Sequence, residues 1–312
     1  MADMSDAELH EIYDFAVQLG KDAGDLLMKF AMARFTGGAV GEQAFEEKDN
    51  AVDIVTKVDQ DMEAFIRSSI EKKYPSHAFL GEESYSAGAS RDYLVTAAPT
   101  WIIDPLDGTV NFTHLFPLFC VSIGFALHGR PVIGVINAPF LHQLFTACRG
   151  RGAWLNDTQP LPLLRDPGVP PLPAAAPKGC IFACEWGKDR RDVPDGNMHR
   201  KVESFVNMAA EVGGRDGKGA MVHGMRSLGR DVAAGIAILE EAGGLVTTAN
   251  PPDDAATVDI PEAKLGGRLY LAIRPAGPSD TETGRQGQER VVREVWRRVR
   301  ELDYARPGVE SK

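Results

Sequence analysis

Basic charge is in short supply in this chain: 34 Lys and Arg stand against 44 Asp and Glu, for a formal net charge of -10. Binding to nucleic acid or to an anionic membrane needs a basic face that neutralises phosphate, so neither partner is expected. Cysteine is scarce too, with Cys120, Cys148, Cys180 and Cys184 alone among 312 residues. Four in a chain this long make no disulfide framework, and Cys180 and Cys184 lack the second pair that a zinc site needs, which leaves buried, reduced thiols. The N-terminal stretch MADMSDAELHEIYDFAVQLG has no uninterrupted apolar core, so neither a signal peptide nor a membrane span is read there and a cytoplasmic location is expected. Carboxylate is what abounds. An acidic protein that takes an anionic substrate needs cations to bring the two together.

Hydrophobic periodicity organises the chain. Leu9, Ile12, Tyr13, Phe15, Ala16, Leu19, Ala23, Leu26, Leu27 and Phe30 recur at helical spacing and predict a long amphipathic helix over Ala7 to Phe35. TGGAVGEQAFEEKDN reads as a mobile loop, AVDIVTKVD as a short strand, and DQDMEAFIRSSIEKKYP as a helix stopped by Pro75. HAFLGEES runs a strand into paired glutamates. Between Leu118 and Trp154, apolar runs separated by turn signals predict an antiparallel meander. Proline-rich 164–179 reads as a linker, dividing an N-terminal α+β metal-binding part (1–163) from a C-terminal α/β part (180–312). The latter shows a strand at CIFACEW, helices near Met198 to Val212, Asp231 to Ala242 and Glu289 to Leu302, and a strand at Arg268 to Ile273. Helices and strands on both sides of the linker give an α+β layered sandwich rather than a barrel or a bundle.

Acidic groups gather at the ends of these elements: Asp59, Glu82 with Glu83, Asp104 with Asp107, and Asp231. A carboxylate at the exit of a buried strand is costly unless paired or coordinated. Oxygen-only ligands with no histidine nearby suit hard cations, Mg²⁺ first. In WIIDPLDGT, Pro105 stiffens the turn and leaves the Leu106 carbonyl free between two carboxylates, while Gly108 and Thr109 open a helix whose N–H groups face an incoming phosphate. Asp-Pro or Asp-Gly alone is a turn, and paired glutamates alone are a solvated face. An apolar strand has no structural need of two acids at its exit, so the two motifs together point to a site.

WIIDPLDGTVNFTH, GEES and DIVTKVDQ, in this order, resemble the inositol monophosphatase family, and KYPSHAFLGEES, FPLFCVSIGFALHGRPVIGVI, TACRGRGAWLN and VHGMRSLG extend the likeness over nearly the whole chain. FACEWGKDR and ILEEAGG are most similar to its fungal branch. The resemblance implies the layered αβαβα sandwich of the inositol monophosphatase and fructose bisphosphatase type. It also implies a homodimer and Mg²⁺-dependent, lithium-inhibited hydrolysis of a small cyclitol or sugar phosphate. Carried over, it makes Glu82, Asp104, the Leu106 carbonyl and Asp107 metal ligands, with Asp231 completing a second metal position. Thr109, oriented by Asp59, polarises the attacking water with Glu82 beside it. Asp107, Gly108, Thr109 and Asp231 meet the substrate and its phosphate, Lys48 matches the family's loop lysine, and Glu83 is a further candidate. His114, His142 and His223 read as structural, His114 by packing the loop, and Trp101 with Phe112 as packing beneath the acidic loop.

One departure is large. The second signature of the family reads Trp-Asp-x-Ala-Ala-Gly, where this chain has RDVAAG, and a helix and strand that the family places before it are absent: HGMRSLG leads straight into Arg230 and Asp231. Such a loss costs on the order of several kcal/mol per element at roughly 25 cal/mol per Å² of uncovered apolar surface. RDVAAGIAILEEAGG is itself an amphipathic helix that could take the vacated place. Three accounts compete: a skipped segment of the gene, a variant of reduced activity, and a phosphatase with a rebuilt pocket. The enzymatic alternative is a phosphatase of another metabolite, and the non-enzymatic one is a shortened, dimerising subunit.

Overall fold

The computed structural model describes residues 4–35, 45–47, 54–86, 95–185, 189, 191–226 and 232–304. The chain divides into two units, Met1–Leu161 with Arg230–Glu241, and Pro162–Gly229 with Ala242–Lys312. The first contains α1 (Asp6–Phe35), β1 (Phe45–Glu47), β2 (Ile54–Thr56), α2 (Lys57–Lys73), β3 (Ala78–Gly81), α3 (Glu82–Ser86), β4 (Thr100–Asp107) and α4 (Thr109–Thr113). It continues through β5 (Cys120–Leu127), β6 (Arg130–Ala138), β7 (Gln143–Cys148), β8 (Ala153–Leu155) and β9 (Gln159–Pro160). The second unit holds β10 (Ile181–Ala183), α5 (Asn197–Ala209) and β11 (Gly224–Arg226); the chain re-enters the first unit as α6 (Ala233–Glu241) and returns as β12 (Leu245–Thr248), β13 (Tyr270–Ile273) and α7 (Gly284–Trp296).

Seven strands, β3 to β9 in sequence order, form the sheet of the first unit; β3 and β4 run parallel and every other neighbouring pair is antiparallel. Alternation along the strands separates two faces. Trp101, Ile103, Ile123, Phe125, Ile133 and Val135 lie on the face that packs with Leu9, Ile12, Leu19, Met62 and Ile66 of α1 and α2 in one buried cluster.

The opposite face carries a row of small residues. Gly124 pairs with Gly134, Gly134 with Ala147, and Ala147 with Ala153, from β5 across to β8. This row seats α6. A Cβ on Gly124 would stand 2.9 Å from that of Ala233, and one on Gly134 would stand 2.3 Å from the Ala234 carbonyl oxygen. Both distances are too short for any side chain, so glycine is what lets the helix backbone reach the sheet. At the other end of α6, the Glu241 carboxylate accepts the N–H groups of Gly150, at 3.1 Å to each oxygen, and of Gly152 at 3.0 Å. Those two glycines turn the β7–β8 hairpin at φ 78° and 79°.

Trp101, fully buried, donates its indole N–H to His77 Nδ1 at 3.1 Å in an aromatic group with Phe15, Tyr74 and Phe125. Burial pushes the His77 imidazole below its ordinary value. The folded chain therefore keeps His77 neutral at pH values where the unfolded chain protonates it. Because the unfolded state binds the extra proton, this contribution is complete above about pH 6.5 and stability is lost as the pH falls below it. His77→Asn keeps an acceptor for Trp101 without the titration, and is expected to flatten the fall of the urea midpoint between about pH 7 and pH 5. An unchanged slope would remove His77 as its source.

In the second unit, Leu172, Ala176, Met208, Leu245, Ile273, Val292, Val295 and Trp296 form the core. Leu172 and Ala176 correct the reading of 164–179 as a connector, for both are anchored in that core. The region has no periodic pattern because proline spacing, not a helix or strand, sets which side chains turn inward. Nor does the boundary divide the chain once, since α6 belongs with the first unit. Other differences are local. α7 begins at Gly284, ahead of the expected start at Glu289, because Thr283 and Gln286 form a capping box. β11 and β12 were not expected, the first being three residues long and the second a short apolar run after a glycine pair. No disulfide joins the four cysteines; Cys148 is buried, which pushes its thiol up to about 11, while Cys120, Cys180 and Cys184 are half-buried. Among the described residues no helix is long and apolar enough to cross a membrane.

Candidate active site

The acidic loop sits where β4 leaves the sheet. Asp104 pairs with Ser122 and Asp107 with Cys120, so Pro105 and Leu106 together oppose Val121 alone. This is a β-bulge, which bends its strand and re-aims the side chains around it. Leu106 is buried in the cluster under α1 and α2, and its N–H donates to Asp104 Oδ1 at 3.1 Å. The bulge thus anchors the loop by an apolar side chain and presents polar atoms around it.

Thr109 opens α4 and binds back across the loop. Its hydroxyl lies 2.9 Å from Asp59 Oδ1 and 3.1 Å from the Leu106 carbonyl oxygen. A hydroxyl has one proton, so it serves one acceptor at a time, and the nearer is a charged one. Asp59 is almost completely buried in the first turn of α2. The Leu106 carbonyl, expected to be free, lies within reach of the Thr109 hydroxyl as its more distant acceptor, and it keeps lone-pair capacity for a cation. Gly108 holds φ 91°, and a Cβ there would be 2.8 Å from the Leu118 carbonyl oxygen. Glycine is required on both counts. Cys120 donates its thiol to Asp107 Oδ2 at 3.9 Å.

Glu82 and Glu83 follow β3 at the start of α3. Gly81 pairs with Ile103, so the next residue on each strand, Glu82 and Asp104, leaves the parallel pair at the same level. Asp59, Glu82, Asp104, Leu106, Asp107, Gly108 and Thr109 therefore all belong to the strand ends and helix starts of this one corner of the first unit. Asp231 and Lys48 lie outside the described residues. His114, expected to pack the loop, is exposed, because α4 ends there and its N–H closes the last turn on Val110. His142 and His223 are exposed turn residues, and Trp101 and Phe112 are wholly buried, as read from the sequence.

The fit of a divalent cation can be tested on Ser122. Its hydroxyl is buried and, among the described residues, has no hydrogen-bond partner. As the cross-strand partner of Asp104 it shares that residue's face of the sheet. A buried hydroxyl without a partner is costly, and this one can offer lone pairs to a cation or its proton to an oxygen held beside Asp104. The donor set, carboxylates and a carbonyl with no histidine or thiolate, suits Mg²⁺ in chemistry. Among the described residues no three His, Cys, Asp or Glu are grouped closely enough to hold an ion by themselves. The set thus fits a divalent cation in kind, while the described carboxylates do not close on one point by themselves.

Three residues gave little sign of their roles in the sequence, Ser122 and Glu63 in this region and Glu241 at the β7–β8 hairpin. Ser122 gave no signal beyond its place in an apolar strand. Glu241 ends a helix, where a carboxylate reads as solvated. Glu63 had a visible sign, an acid between Met62 and Ile66 in the buried stripe of α2.

The sequence matches the family model described as the Inositol monophosphatase family over residues 8–300. The chain belongs to that family. By class it is a phosphoric monoester hydrolase. It is 63% identical to the quinic acid degradation cluster protein x of Neurospora crassa, an alignment that covers 96% of this chain and 97% of that one. It is 36% identical to inositol monophosphatase 2 of Saccharomyces cerevisiae, with 84% and 88% covered. Its fold is that of the extragenic suppressor protein suhB of Bartonella henselae, at a TM-score of 0.62 and 24% identity over 90% of this chain and 98% of that one. The alignment with the Neurospora protein runs over 334 residues, more than the 312 present here, so that relative carries residues within the aligned span that this chain lacks. The missing segment read before Asp231 agrees in sign with that excess.

Proposed function

We propose that the chain is a Mg²⁺-dependent phosphomonoesterase that releases orthophosphate from myo-inositol monophosphate by attack of an activated water. The observation that carries the reading is the hydrogen bond from Thr109 to buried Asp59, set beside the bulge that presents Asp104, the Leu106 carbonyl and Asp107. Glu82, Asp104, the Leu106 carbonyl, Asp107 and Asp231 would hold Mg²⁺, which would supply Lewis acidity to acidify water and offset charge on the phosphoryl oxygens. The chain's own residues do the rest. Asp59 holds the Thr109 proton in a hydrogen bond, so that the Thr109 oxygen turns a lone pair towards water; as the water gives its proton to Thr109, the Thr109 proton passes to Asp59, with Glu82 as the neighbouring base. Backbone N–H groups of Gly108 and Thr109 hold the phosphate, while Asp107 and Asp231 face the substrate. Glu83 and Lys48 stand at the margin of this set. A homodimer, lithium inhibition and a cytoplasmic setting belong to the same proposal.

The name of the Neurospora relative favours a second substrate. Quinic acid and inositol are both polyhydroxylated six-membered carbocycles, so a phosphate ester of a related ring acid could occupy the same corner. The longer alignment favours a further reading, a shortened and impaired subunit that dimerises without turnover.

Phosphate release should be measured from myo-inositol 1-phosphate and from phosphorylated quinic acid, with Mg²⁺ titrated, lithium added, and a version carrying the relative's extra segment run alongside. Mg²⁺-dependent, lithium-sensitive release from the inositol ester bears out the first reading. Preference for the ring acid transfers the substrate to the second. Activity confined to the lengthened version makes this chain the impaired one.

A further inference from the structure

We propose that Glu63 is a positioning residue of the active site, one that fixes the start of α3, and so Glu82, against the acidic loop. The proposal rests on the Mg²⁺-phosphatase reading above. α2 carries two buried carboxylates one helical turn apart on one face, Asp59 and Glu63. Each holds a strand exit. Asp59 accepts the hydroxyl of Thr109, which follows β4. Glu63 accepts the N–H of Glu83 at 2.8 Å and that of Ser84 at 3.1 Å, both of which follow β3. Because β3 and β4 are neighbouring parallel strands, α2 clamps the ends of both and sets the level of Glu82 relative to Asp104.

Glu63 is held in turn. The Arg67 guanidinium lies 3.4 Å from Glu63 Oε1, donates to Ser84 Oγ at 2.7 Å and stacks on the Phe79 ring at 4.2 Å. Gly81 leaves the space the carboxylate occupies, since a Cβ there would be 2.3 Å from Glu63 Oε2. A charged group this buried is kept by bonds that a neutral amide cannot reproduce. Glutamine offers one acceptor and turns an NH₂ group towards the second backbone N–H. Partners that orient metal-binding groups typically alter metal affinity or activity about 10- to 100-fold when replaced.

The test is Mg²⁺ binding by titration calorimetry, without substrate, on the full chain and on Glu63→Gln, Gly81→Ala and Asp61→Asn. Asp61 is exposed on α2, so its replacement controls for charge. Gly81→Ala displaces the Glu63 carboxylate, presses on the edge of the Phe79 ring 2.8 Å away, and serves if Glu63→Gln fails to fold by circular dichroism. We expect the dissociation constant to rise about 10-fold or more in both Glu63→Gln and Gly81→Ala, and to stay put in Asp61→Asn. Wild-type affinity in the folded variants overturns the positioning role and leaves the phosphatase reading standing. No Mg²⁺ binding by the unaltered chain brings down that reading, and this proposal with it.

Discussion

Asp104→Asn is expected to lower Mg²⁺-dependent phosphate release by about a hundredfold or more, while the melting temperature without Mg²⁺ moves by only a few degrees, about 3 °C or less. Asparagine matches aspartate in shape and keeps an oxygen for the Leu106 N–H, the bond that ties the bulge. Loop geometry is therefore retained and the charge is lost. Removing a carboxylate ligand weakens a hard cation's hold, and with it the stabilisation of charge in the transition state. Initial rates across a Mg²⁺ series, beside a thermal melt of the same preparation, separate the two effects. Should the variant keep more than about a tenth of the rate at wild-type Mg²⁺ demand, Asp104 is not a ligand.

The second large effect concerns the fold. Gly134→Val is expected to destabilise the first unit by about 3 kcal/mol, near the upper end of what overpacking costs. Valine must push against the Ala234 carbonyl, part of a helix backbone that has no rotamer to escape into. α6 then lifts from its row of small residues. Urea unfolding followed by tryptophan fluorescence reports the loss, because Trp101 and Trp154 both belong to this unit. A midpoint equal to that of wild type would mean that α6 is not seated as described. Activity is expected to fall as well, since Asp231 lies two residues before α6.

Much of this was legible in the sequence. Period 3.6 marked α1 and α2, turn-punctuated apolar runs marked β5 to β8, and WIIDPLDGT marked the strand exit at the end of β4. Side-chain partners were not legible in the same way. Nothing in the order of residues says that Glu63 would accept two backbone N–H groups twenty residues on, since such a bond depends on how α2 crosses β3. The small-residue row was hidden for a related reason: Gly124, Gly134, Ala147 and Ala153 align only after strand register is set. Conversely, residues 164–179 looked empty because their buried side chains follow no period.

The return of α6 to the first unit has a consequence for the chain as it is made. The sheet is complete at Pro160, yet the helix that covers one of its faces begins only at Ala233. During synthesis, at about 5–20 residues per second, that face waits several seconds for its cover. A nascent chain in this interval exposes apolar β-surface, a target for chaperones. Fragments cut after Leu161, however sound their seven strands, are expected to aggregate unless residues 232–241 are supplied.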